Sequence, residues 1–229
     1  MKRIGLIGGM SWESTALYYQ LLNQGVADRL GGLHSADLML ASVDFAGIAQ
    51  LQADSRWDEA GEVLAEVART LEATGAELLV LCTNTMHKVA PAIEAAVDIP
   101  LLHIIDITAA AAAAGGLNRL GLLATGFTMG QPFYSDRLAT HGLDTIVPNA
   151  ADQQLVHRII YDELCRGVIT NSSRRQVSAV IDDLVMRGAD GIILGCTEIE
   201  LLISPADSPV PVLPTTALHA TAALDAALE

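Results

Sequence analysis

Two short stretches of the chain share one pattern, RIGLIGG at residues 3–9 and RLGLLAT at residues 119–125. Each is a run of aliphatic residues and glycines that ends in small or polar residues, and the two runs are 116 positions apart. A looser match relates VLCTN at residues 80–84 to LGCTE at residues 194–198, with the two cysteines 114 positions apart. Two matches at nearly the same offset predict two halves built on one strand-to-helix plan.

Aliphatic runs typical of buried strands alternate with amphipathic helical patterns along the whole chain. The predicted strands are residues 4–7, 38–43, 78–81, 101–103, 120–124, 192–194 and 210–213. The predicted helices are residues 13–30, 58–74, 85–96, 131–141, 152–166, 174–187 and 216–228. Continuous aliphatic strands separated by helices are typical of parallel sheets that are covered on both faces. The predicted class is therefore α/β, with two pseudosymmetric lobes that are each a mostly parallel sheet flanked by helices.

An uncharged alanine run that ends in two glycines, residues 109–116, is the predicted boundary between the halves. The first α/β lobe is predicted to comprise residues 1–108, and the last strand and helix, about residues 212–229, are predicted to return to it. The second lobe then comprises about residues 109–211. Each lobe has the length of an ordinary domain.

The charge of the chain bears on its partners. The formal net charge is −14, and only 13 residues are Lys or Arg. Phosphate backbones are bound by clustered Lys and Arg, so this composition disfavours nucleic acid as a partner. It leaves a small anionic substrate open, because charges at the surface are screened over about 8 Å and local donors decide such binding.

Neither the amino-terminal segment nor the cysteines predict a secreted or membrane protein. The amino-terminal apolar run is only seven residues long and contains three glycines, which fits a first strand better than a signal peptide. No segment has the roughly 18 uncharged apolar residues of a membrane helix. Three cysteines form no disulfide framework, which favours a reducing compartment, and the predicted location is the cytoplasm.

The turn after the first strand, GGMSW at residues 8–12, allows three interpretations. A dinucleotide site is disfavoured because the G-x-G-x-x-G spacing is missing and no acidic residue ends the second strand. A tight turn that needs the backbone angles of glycine is the simplest interpretation. The interpretation we favour is a turn that offers backbone N–H groups and a helix N-terminus to a carboxylate. It makes Met10 and Ser11 predicted substrate-binding residues.

The segment LCTNTMHK, residues 81–88, places a dense polar cluster directly after an aliphatic run. Asn84 or Thr85 fits an ordinary helix N-cap, so the cluster is either the start of a helix or part of a reaction site. The second half repeats the feature with Cys196, Thr197 and Glu198 after its own aliphatic run. Ligands of parallel α/β sheets bind at the carboxyl ends of strands. The two polar strand ends are therefore predicted to face each other across a cleft between the lobes.

Further polar residues of the chain could also belong to this site. Thr125 and Thr128 follow the first strand of the second half and would add hydroxyl donors. His87 is more often a histidine on a helix face than a catalyst. Cys165 fits a helix core, or a place just behind a site, and Arg166 fits either a solvated helix end or a carboxylate partner. The six histidines show no metal-ligand spacing, and no lysine follows a strand at a Schiff-base position, so no metal and no cofactor are predicted.

These features resemble the aspartate/glutamate racemase family, whose members work without pyridoxal phosphate. The resemblance covers essentially the whole chain, and the most similar branch is the bacterial one that acts on aspartate and glutamate. It rests on the internal duplication and on three motifs: Gly8-Gly9-Met10-Ser11-Trp12, Asn84-Thr85 after a strand, and Gly195-Cys196-Thr197-Glu198. The resemblance implies an active site in the cleft between two pseudosymmetric lobes, a small anionic amino-acid substrate and a homodimer.

In this family a cysteine from each lobe flanks the substrate Cα, and one removes a proton while the other delivers one to the opposite face. The resemblance makes Cys196 the thiol that attacks the L-enantiomer, and it implies that Asn84, Thr85 and Thr197 hold polar groups of the substrate. Thiols suit this task because their reference pKa, about 8.5, leaves both protonation states accessible. A helix N-terminus beyond each cysteine is expected to lower that pKa, and nearby donors would stabilise the carbanion-like intermediate.

The chain departs from the family pattern at the first strand end. The family has cysteine directly before Asn-Thr, whereas this chain has Thr83 there and Cys82 one residue earlier. Neighbouring strand residues point to opposite faces, so Cys82 is predicted to face away from the cleft and Thr83 to occupy the thiol position. A neutral hydroxyl is a much poorer base, so turnover is predicted to favour the L-to-D direction. Pro214 stands where an acidic residue is common in the family.

Glu198 stands two residues after Cys196, where glutamate racemases of the wider family carry histidine. This favours the aspartate/glutamate branch and makes Glu198 a predicted auxiliary for the Cys196 proton. Two alternatives to a racemase stay open at this point. One is a carbanion enzyme of the same superfamily that uses a single thiol, such as a decarboxylase or maleate-type isomerase. The other is an amino-acid-binding protein that has lost catalysis with the cysteine.

Overall fold

The computed structural model describes all 229 residues of the chain. The chain divides into two compact units, of which the first comprises Met1–Ile104 with His219–Glu229 and the second comprises Ile105–Leu218. The divisions fall inside two helices, α5 (Ile104–Ala114) and α11 (Thr215–Leu228). Most of the alanine run, which the sequence offered as a boundary, is therefore helical, because alanine has the highest helix propensity of all residues.

The first unit contains a four-stranded parallel sheet in the order β2-β1-β3-β4. Its strands are β1 (Ile4–Gly8), β2 (Leu38–Ser42), β3 (Leu78–Leu81) and β4 (Leu101–Leu102). The helices between them are α1 (Trp12–Leu30), α2 (Phe45–Ala53), α3 (Trp57–Ala73) and α4 (Ala90–Glu94), with a 3-10 helix at Thr85–Val89.

Both faces of this sheet are covered, so the alternating side chains of its central strands enter two separate cores. The core under α1 and the end of α11 contains Ile4, Leu6, Tyr18, Leu22, Leu78, Val80, Cys82 and Leu224. The core under α2, α3 and α4 contains Ile7, Met10, Ile48, Leu64, Leu79, Leu81, Met86 and Ile93. A strand buried on both faces has no polar positions until it ends, which is why β3 is an unbroken aliphatic run.

The second unit contains a parallel sheet of the same topology, in the order β6-β5-β7-β8. Its strands are β5 (Arg119–Ala124), β6 (Asp144–Ile146), β7 (Gly191–Gly195) and β8 (Val212–Pro214). The helices are α6 (Gly126–Met129), α7 (Phe133–Thr140), α8 (Ala150–Arg158), α9 (Asn171–Met186) and α10 (Thr197–Leu202). Helix α9 lies so close to β5 that a Cβ on Gly121 would come within 3.0 Å of Leu184.

These two sheets confirm the predicted α/β class and the duplication. Four parallel strands flanked by helices occur in each unit, in corresponding orders. None of the helices combines the length and the apolar composition that crossing a membrane requires.

Strand pairing defines which positions of the two units correspond. In the first sheet Ile4 pairs with Leu78, and in the second Leu120 pairs with Gly191. Ile4 and Leu120 are equivalent in the repeated stretches at residues 3–9 and 119–125. Leu78 therefore corresponds to Gly191, and the offset between β3 and β7 is 113 positions.

This register decides which residues correspond at the strand ends. Counted along β3 and β7 from these pairs, Thr83 is equivalent to Cys196 and Cys82 is equivalent to Gly195. The match of one cysteine to the other in the sequence, at an offset of 114, is one residue out of register. Because side chains alternate along a strand, that single residue separates a core position from a strand-end position.

Several predicted elements differ from the structure in instructive ways. The predicted helix at residues 85–96 is a 3-10 helix followed by α4, and Pro91, which lacks an N–H, lies in the first turn of α4. The predicted helix at residues 152–166 consists of α8, a π-helix at Ile159–Glu163 and a 3-10 turn at Leu164–Arg166. Strand β6 and helices α2, α6 and α10 were not predicted, because each is too short for a clear hydrophobic period. Helix α5 was also not predicted, because its alanine run was interpreted as a boundary between the halves.

The turn from β1 into α1 depends on Gly9. Its φ is +93°, a conformation that residues with a side chain rarely adopt. A Cβ at this position would lie 2.2 Å from the carbonyl oxygen of Val43. The backbone of the loop after β2 therefore occupies the space that any other residue would need.

We expect Gly9→Ala to lower the free energy of unfolding by about 2–4 kcal/mol, from backbone strain plus the clash with Val43. Gly47→Ala is the matched control, because Gly47 lies inside α2 with open space around its Cα. There the same change should stabilise the protein by about 0.5–1 kcal/mol. Urea denaturation measures both variants. Equal effects at the two positions would contradict this account of the turn.

Candidate functional site

The first group of predicted site residues begins at the carboxyl end of β1. Ser11 is the N-cap of α1, and its Oγ accepts a hydrogen bond of 3.2 Å from the Ser14 N–H. The Gly9 N–H donates to Thr15 Oγ1 over 2.8 Å. Gly9 is therefore not among the backbone donors that this turn was expected to offer to a ligand. Met10, joined to Ser11 by a cis peptide bond, lies in the core under α2 and α3.

The polar cluster after β3 lies beside this turn, because β1 and β3 are adjacent parallel strands. The Cys82 N–H continues the ladder to the Ile7 carbonyl over 2.9 Å. Ser14 Oγ donates to the Cys82 carbonyl over 3.2 Å, which ties the first turn of α1 to the end of β3. Thr83 is half-buried at this strand end.

Asn84 and Thr85 follow Thr83 as largely buried polar residues. The N-cap interpretation predicted a hydrogen bond from one of them to the helix that follows. Asn84 holds the N-cap position of the 3-10 helix, but its side chain makes no capping bond there, and its backbone is already helical. Asn84 therefore does not act as the side-chain cap of this 3-10 helix.

Cys82 is a core residue of the first unit. It follows Leu78 and Val80 on the same face of β3, is fully buried, and packs in the apolar cluster under α1. Burial raises the pKa of its thiol far above the ordinary value, because no charge or donor compensates the loss of water. A thiol in this environment stays protonated and packs as a small hydrophobic group.

Three buried histidines, His87, His103 and His219, lie together behind the Thr83 strand end. The ring of His87 lies 4.7 Å from that of His103 and 5.7 Å from that of His219, centroid to centroid. His219 Nε2 donates to the Leu102 carbonyl over 2.8 Å, and its Nδ1 accepts from the Tyr18 hydroxyl over 2.8 Å. Burial lowers the pKa of His219 to about 4, so this ring is neutral at physiological pH.

The second group of predicted site residues lies at the carboxyl ends of β5 and β7, which are adjacent strands of the second unit. Thr125 is the N-cap of α6, and its Oγ1 lies 3.3 Å from the Thr128 hydroxyl. Both threonines are buried. Their two hydroxyls form a compact pair of donors one strand away from Cys196.

Cys196 holds the N-cap position of α10, directly after β7. Its thiol donates to Glu198 Oε2 over 2.9 Å, and both side chains are more than nine-tenths buried. Burial, and then the adjacent Glu198 carboxylate, raise the pKa of Cys196 well above its ordinary value. The expectation that the helix N-terminus lowers this pKa is therefore wrong for the structure as it stands, because desolvation and the neighbouring charge outweigh the six-residue helix.

The segment that follows α8 lies next to Cys196 and α10. The π-helix there carries Tyr161, and the next turn, which carries Cys165, packs against α10. Burial, and then the influence of Cys196, Cys165 and Glu198, raise the pKa of Tyr161 to about 12. A π-turn inside a longer helix is frequent at functional sites. Arg166, by contrast, is exposed at the end of this segment.

Glu200 is a buried carboxylate that the sequence did not single out. It accepts from the Thr216 N–H over 2.7 Å, in the first turn of α11. Burial raises its pKa to about 7, although the hydrogen bonds from Thr215, Thr216 and Ala217 act in the opposite direction. The Thr216 hydroxyl in turn lies 3.4 Å from Thr197 Oγ1, so Glu200 is one side chain removed from a predicted substrate-binding residue.

Other polar residues near the two strand ends were also missed. Gln52 of α2 is buried, and its amide donates to Met86 Sδ over 2.9 Å, beside the polar cluster after β3. Tyr161 was missed because a π-turn has no sequence signature of its own. Glu200 had one available signal, since it follows Cys196 by four residues just as His87 follows Thr83. No group of three acidic, histidine or cysteine side chains is arranged to hold a metal ion.

Comparison with known proteins bears on this geometry. A family model described as Asp/Glu/Hydantoin racemase matches residues 7–223. The chain is 53% identical to a candidate Asp/Glu racemase from Yersinia pestis, over the full length of both chains, with a TM-score of 0.95. It is 31% identical to an aspartate racemase homologue from Pyrococcus horikoshii, again over both full lengths, with a TM-score of 0.89. A broad-specificity amino-acid racemase of Bacillus subtilis is 23% identical over 93% of each chain.

Each of the two parallel four-stranded sheets ends in polar residues, and the second carries the buried Cys196–Glu198 pair. The chain belongs to the Asp/Glu/Hydantoin racemase family. It is an isomerase of the racemase class.

Glu200 makes stability depend on pH. Its pKa rises on folding, so the folded state binds this proton more tightly than the unfolded chain does. The resulting destabilisation is absent below about pH 4.5 and grows to a maximum above about pH 7. Over this pH range the free energy of unfolding falls by roughly 3 kcal/mol at most because of Glu200.

We expect Glu200→Gln, which keeps an acceptor for the Thr216 N–H without the charge, to gain stability relative to the natural protein as pH rises from 5 to 8. Urea denaturation across this range measures the difference. Glu62→Gln, the same change on an exposed face of α3, is the control and should show no such trend. A Glu200→Gln difference that is independent of pH would contradict the buried-carboxylate account.

Proposed function

We propose that the protein racemises acidic amino acids, aspartate or glutamate or both, by proton transfer at Cα, with Cys196 as the base and without a cofactor. The observation that supports this most is the buried pair of the Cys196 thiol and the Glu198 carboxylate, 2.9 Å apart at a strand end. Such a pair holds a proton between two basic groups in a dry environment. The membership of the chain in a racemase family supports the reaction type.

The raised pKa of Cys196 requires a route for its proton. The thiol hydrogen already points at Glu198 Oε2, so transfer along this hydrogen bond leaves a thiolate and a neutral carboxyl group. The thiolate then removes the Cα proton of the L-enantiomer, and the thiol is restored. A thiolate that forms at a buried position only when the substrate reacts is a stronger base than one stabilised in advance by charge.

Thr83 is the proposed group on the other face of the substrate. The register makes it the equivalent of Cys196, and its side chain is only half-buried at the strand end. A hydroxyl is a poor base, but it can deliver a proton to a carbanion, directly or through a water that it holds. Solvent then restores the hydroxyl proton, and Glu198 loses its extra proton to solvent, so charge balances over the cycle.

The substrate class follows from the donors that accompany these two groups. Asn84, Thr85, Thr125, Thr128 and Thr197 are the proposed binding residues together with Met10 and Ser11, and nearly all present neutral donors. Such donors bind a carboxylate and stabilise the charge that develops on it as Cα loses its proton. They support an α-amino acid with a second anionic group without distinguishing aspartate from glutamate, since side-chain length is read by pocket shape. The homodimer and the cytoplasmic location stay predictions.

Cys196→Ala should lower kcat with L-aspartate or L-glutamate by about 10²- to 10⁴-fold, because the base is lost. It should also abolish wash-in of deuterium at Cα in deuterated water. Cys82→Ala is the matched control, a thiol deletion in the core that should keep most activity and cost about 1–2 kcal/mol of stability. A reversal of the two effects would mean that Cys82, not Thr83, belongs to the site.

The same exchange experiment separates the alternatives. A decarboxylase or maleate-type isomerase that uses one thiol would leave Cα of aspartate and glutamate without deuterium. An amino-acid-binding protein would be stabilised by aspartate against heat without any exchange. Deuterium at Cα of recovered amino acid, with formation of the other enantiomer, is the outcome that the racemase proposal requires.

Thr83→Cys should raise kcat from the D-enantiomer, because it supplies a second thiol on the face that the natural chain serves with a hydroxyl. In the natural protein we expect kcat from the D side to be smaller than from the L side. The ratio kcat/KM must be equal in the two directions, because enantiomers have equal energy in solution, so the slower direction should show the lower KM. Equal kcat values from both sides in the natural protein would contradict the proposed role of Thr83.

A further inference from the structure

His87 joins the Thr83 strand end to the helix that follows the last strand of the sheet. It is 2% exposed, and its Nδ1 lies 2.7 Å from the Thr83 carbonyl oxygen. Its Nε2 accepts the N–H of Ile104, the first residue of α5, over 3.2 Å. One rigid ring therefore spans from the backbone of Thr83 to the start of a helix.

The two hydrogen bonds define the state of the ring. A backbone N–H can only donate, so Nε2 of His87 is an acceptor and carries no hydrogen. The Thr83 carbonyl can only accept, so Nδ1 carries the hydrogen and donates it. His87 is thus a neutral imidazole of one tautomer, and both of its nitrogens are used by the backbone.

The conformation after Thr83 explains why a side chain is needed there. Residues 85–89 form a 3-10 helix, in which the His87 N–H donates to the Asn84 carbonyl, three residues back. An α-helix would have directed that N–H to Thr83, four residues back. The Thr83 carbonyl would therefore lack a partner in the helix, and the His87 side chain supplies the missing donor.

The second unit solves the same problem differently at the equivalent position. Glu200 follows Cys196 by four residues, as His87 follows Thr83, and it also accepts from the first turn of the helix after the last strand. There the segment is α-helical, and the Glu200 N–H itself donates to the Cys196 carbonyl, over 3.4 Å. In both units this position thus links the proposed acid/base residue to a helix N-terminus. The His87 side chain makes both connections, whereas Glu200 uses its backbone for one and its side chain for the other.

We propose that His87 is a positioning residue for Thr83: its Nδ1–H fixes the Thr83 carbonyl, and with it the direction of the Thr83 hydroxyl, so that the proton is delivered to the second face of the substrate. This inference rests on the proposed function of Thr83. A change in the backbone angles of Thr83 would move its hydroxyl together with its carbonyl, without unfolding the core. Misplacement of a reacting group by about 1 Å costs on the order of 10²-fold in rate.

Two substitutions separate the two bonds of His87. In His87→Asn, the amide nitrogen lies near the former Nδ1 and keeps the donor to Thr83, whereas the acceptor for Ile104 is lost. In His87→Gln, the longer side chain places an acceptor near the former Nε2, whereas the donor to Thr83 is lost. The variants are similar in polarity and burial, so they differ chiefly in which bond survives.

The readout compares two steps in one reaction. With L-aspartate or L-glutamate in deuterated water, deuterium in the recovered L-enantiomer reports proton removal and return by Cys196, and formation of the D-enantiomer reports delivery from the Thr83 side. We expect His87→Gln to lower D-enantiomer formation by roughly 10- to 100-fold while wash-in to the L-enantiomer changes little. His87→Asn should retain a ratio of the two rates close to that of the natural protein.

His219→Gln is the control, because it makes the same replacement in the same buried cluster without a contact to Thr83. It should destabilise the protein and leave the ratio of exchange to conversion unchanged.

A His87→Gln variant in which both rates fall by one factor would overturn the positioning role, and so would a His87→Asn variant with an equally altered ratio. If His87→Gln does not fold, folded His87→Asn decides alone. A ratio of L-enantiomer wash-in to D-enantiomer formation equal to that of the natural protein supports the positioning role, and a higher ratio overturns it. Absence of wash-in with the natural protein would instead reject the proposed function.

Discussion

The alternation of side chains along a buried parallel strand is the constraint on which the rest of the structure depends. Strand β3 is covered on both faces, so each of its residues must enter one of two cores until the strand ends. Cys82 still obeys this rule and is buried under α1, whereas Thr83, one residue later, is the first that does not. The identity of the group at the strand end therefore follows from register, and the Cys82 thiol, one position earlier, lies in the core instead.

The second unit shows the energetic cost of placing acid/base groups at such a strand end. Cys196 and Glu198 are both buried, and Glu200 is partly buried, within five residues of the chain. Burial disfavours charge on each of them, which raises the pKa of the thiol and of the Glu200 carboxyl. The helix N-termini nearby return only part of this free energy. Proton exchange within the buried thiol–carboxylate pair requires less separation of charge than ionisation of the thiol alone. The raised pKa of Cys196 is therefore compatible with its proposed action as a base.

The two units keep one topology while their strand ends have diverged. By register Thr83 corresponds to Cys196, and His87 corresponds to Glu200. Each of the latter two accepts from the first turn of the helix after the last strand of its sheet. The connection from strand end to helix is thus the shared feature, and its chemistry changed along with the helix type, from a 3-10 turn after Thr83 to an α-helix after Cys196.

The sequence by itself determined the α/β class, the duplication and most of the strands, because aliphatic runs and their spacing are local patterns that burial imposes. It also indicated the strand ends as site positions, since parallel sheets place ligands there. The family resemblance predicted Thr83 at the thiol position, and the pairing of β3 with β1 and of β7 with β5 gives the same correspondence between Thr83 and Cys196. The raised pKa of Cys196, the π-turn of Tyr161 and the bonds of His87 and Glu200 depend on tertiary structure. Each arises from burial and from contacts between segments that no local pattern encodes.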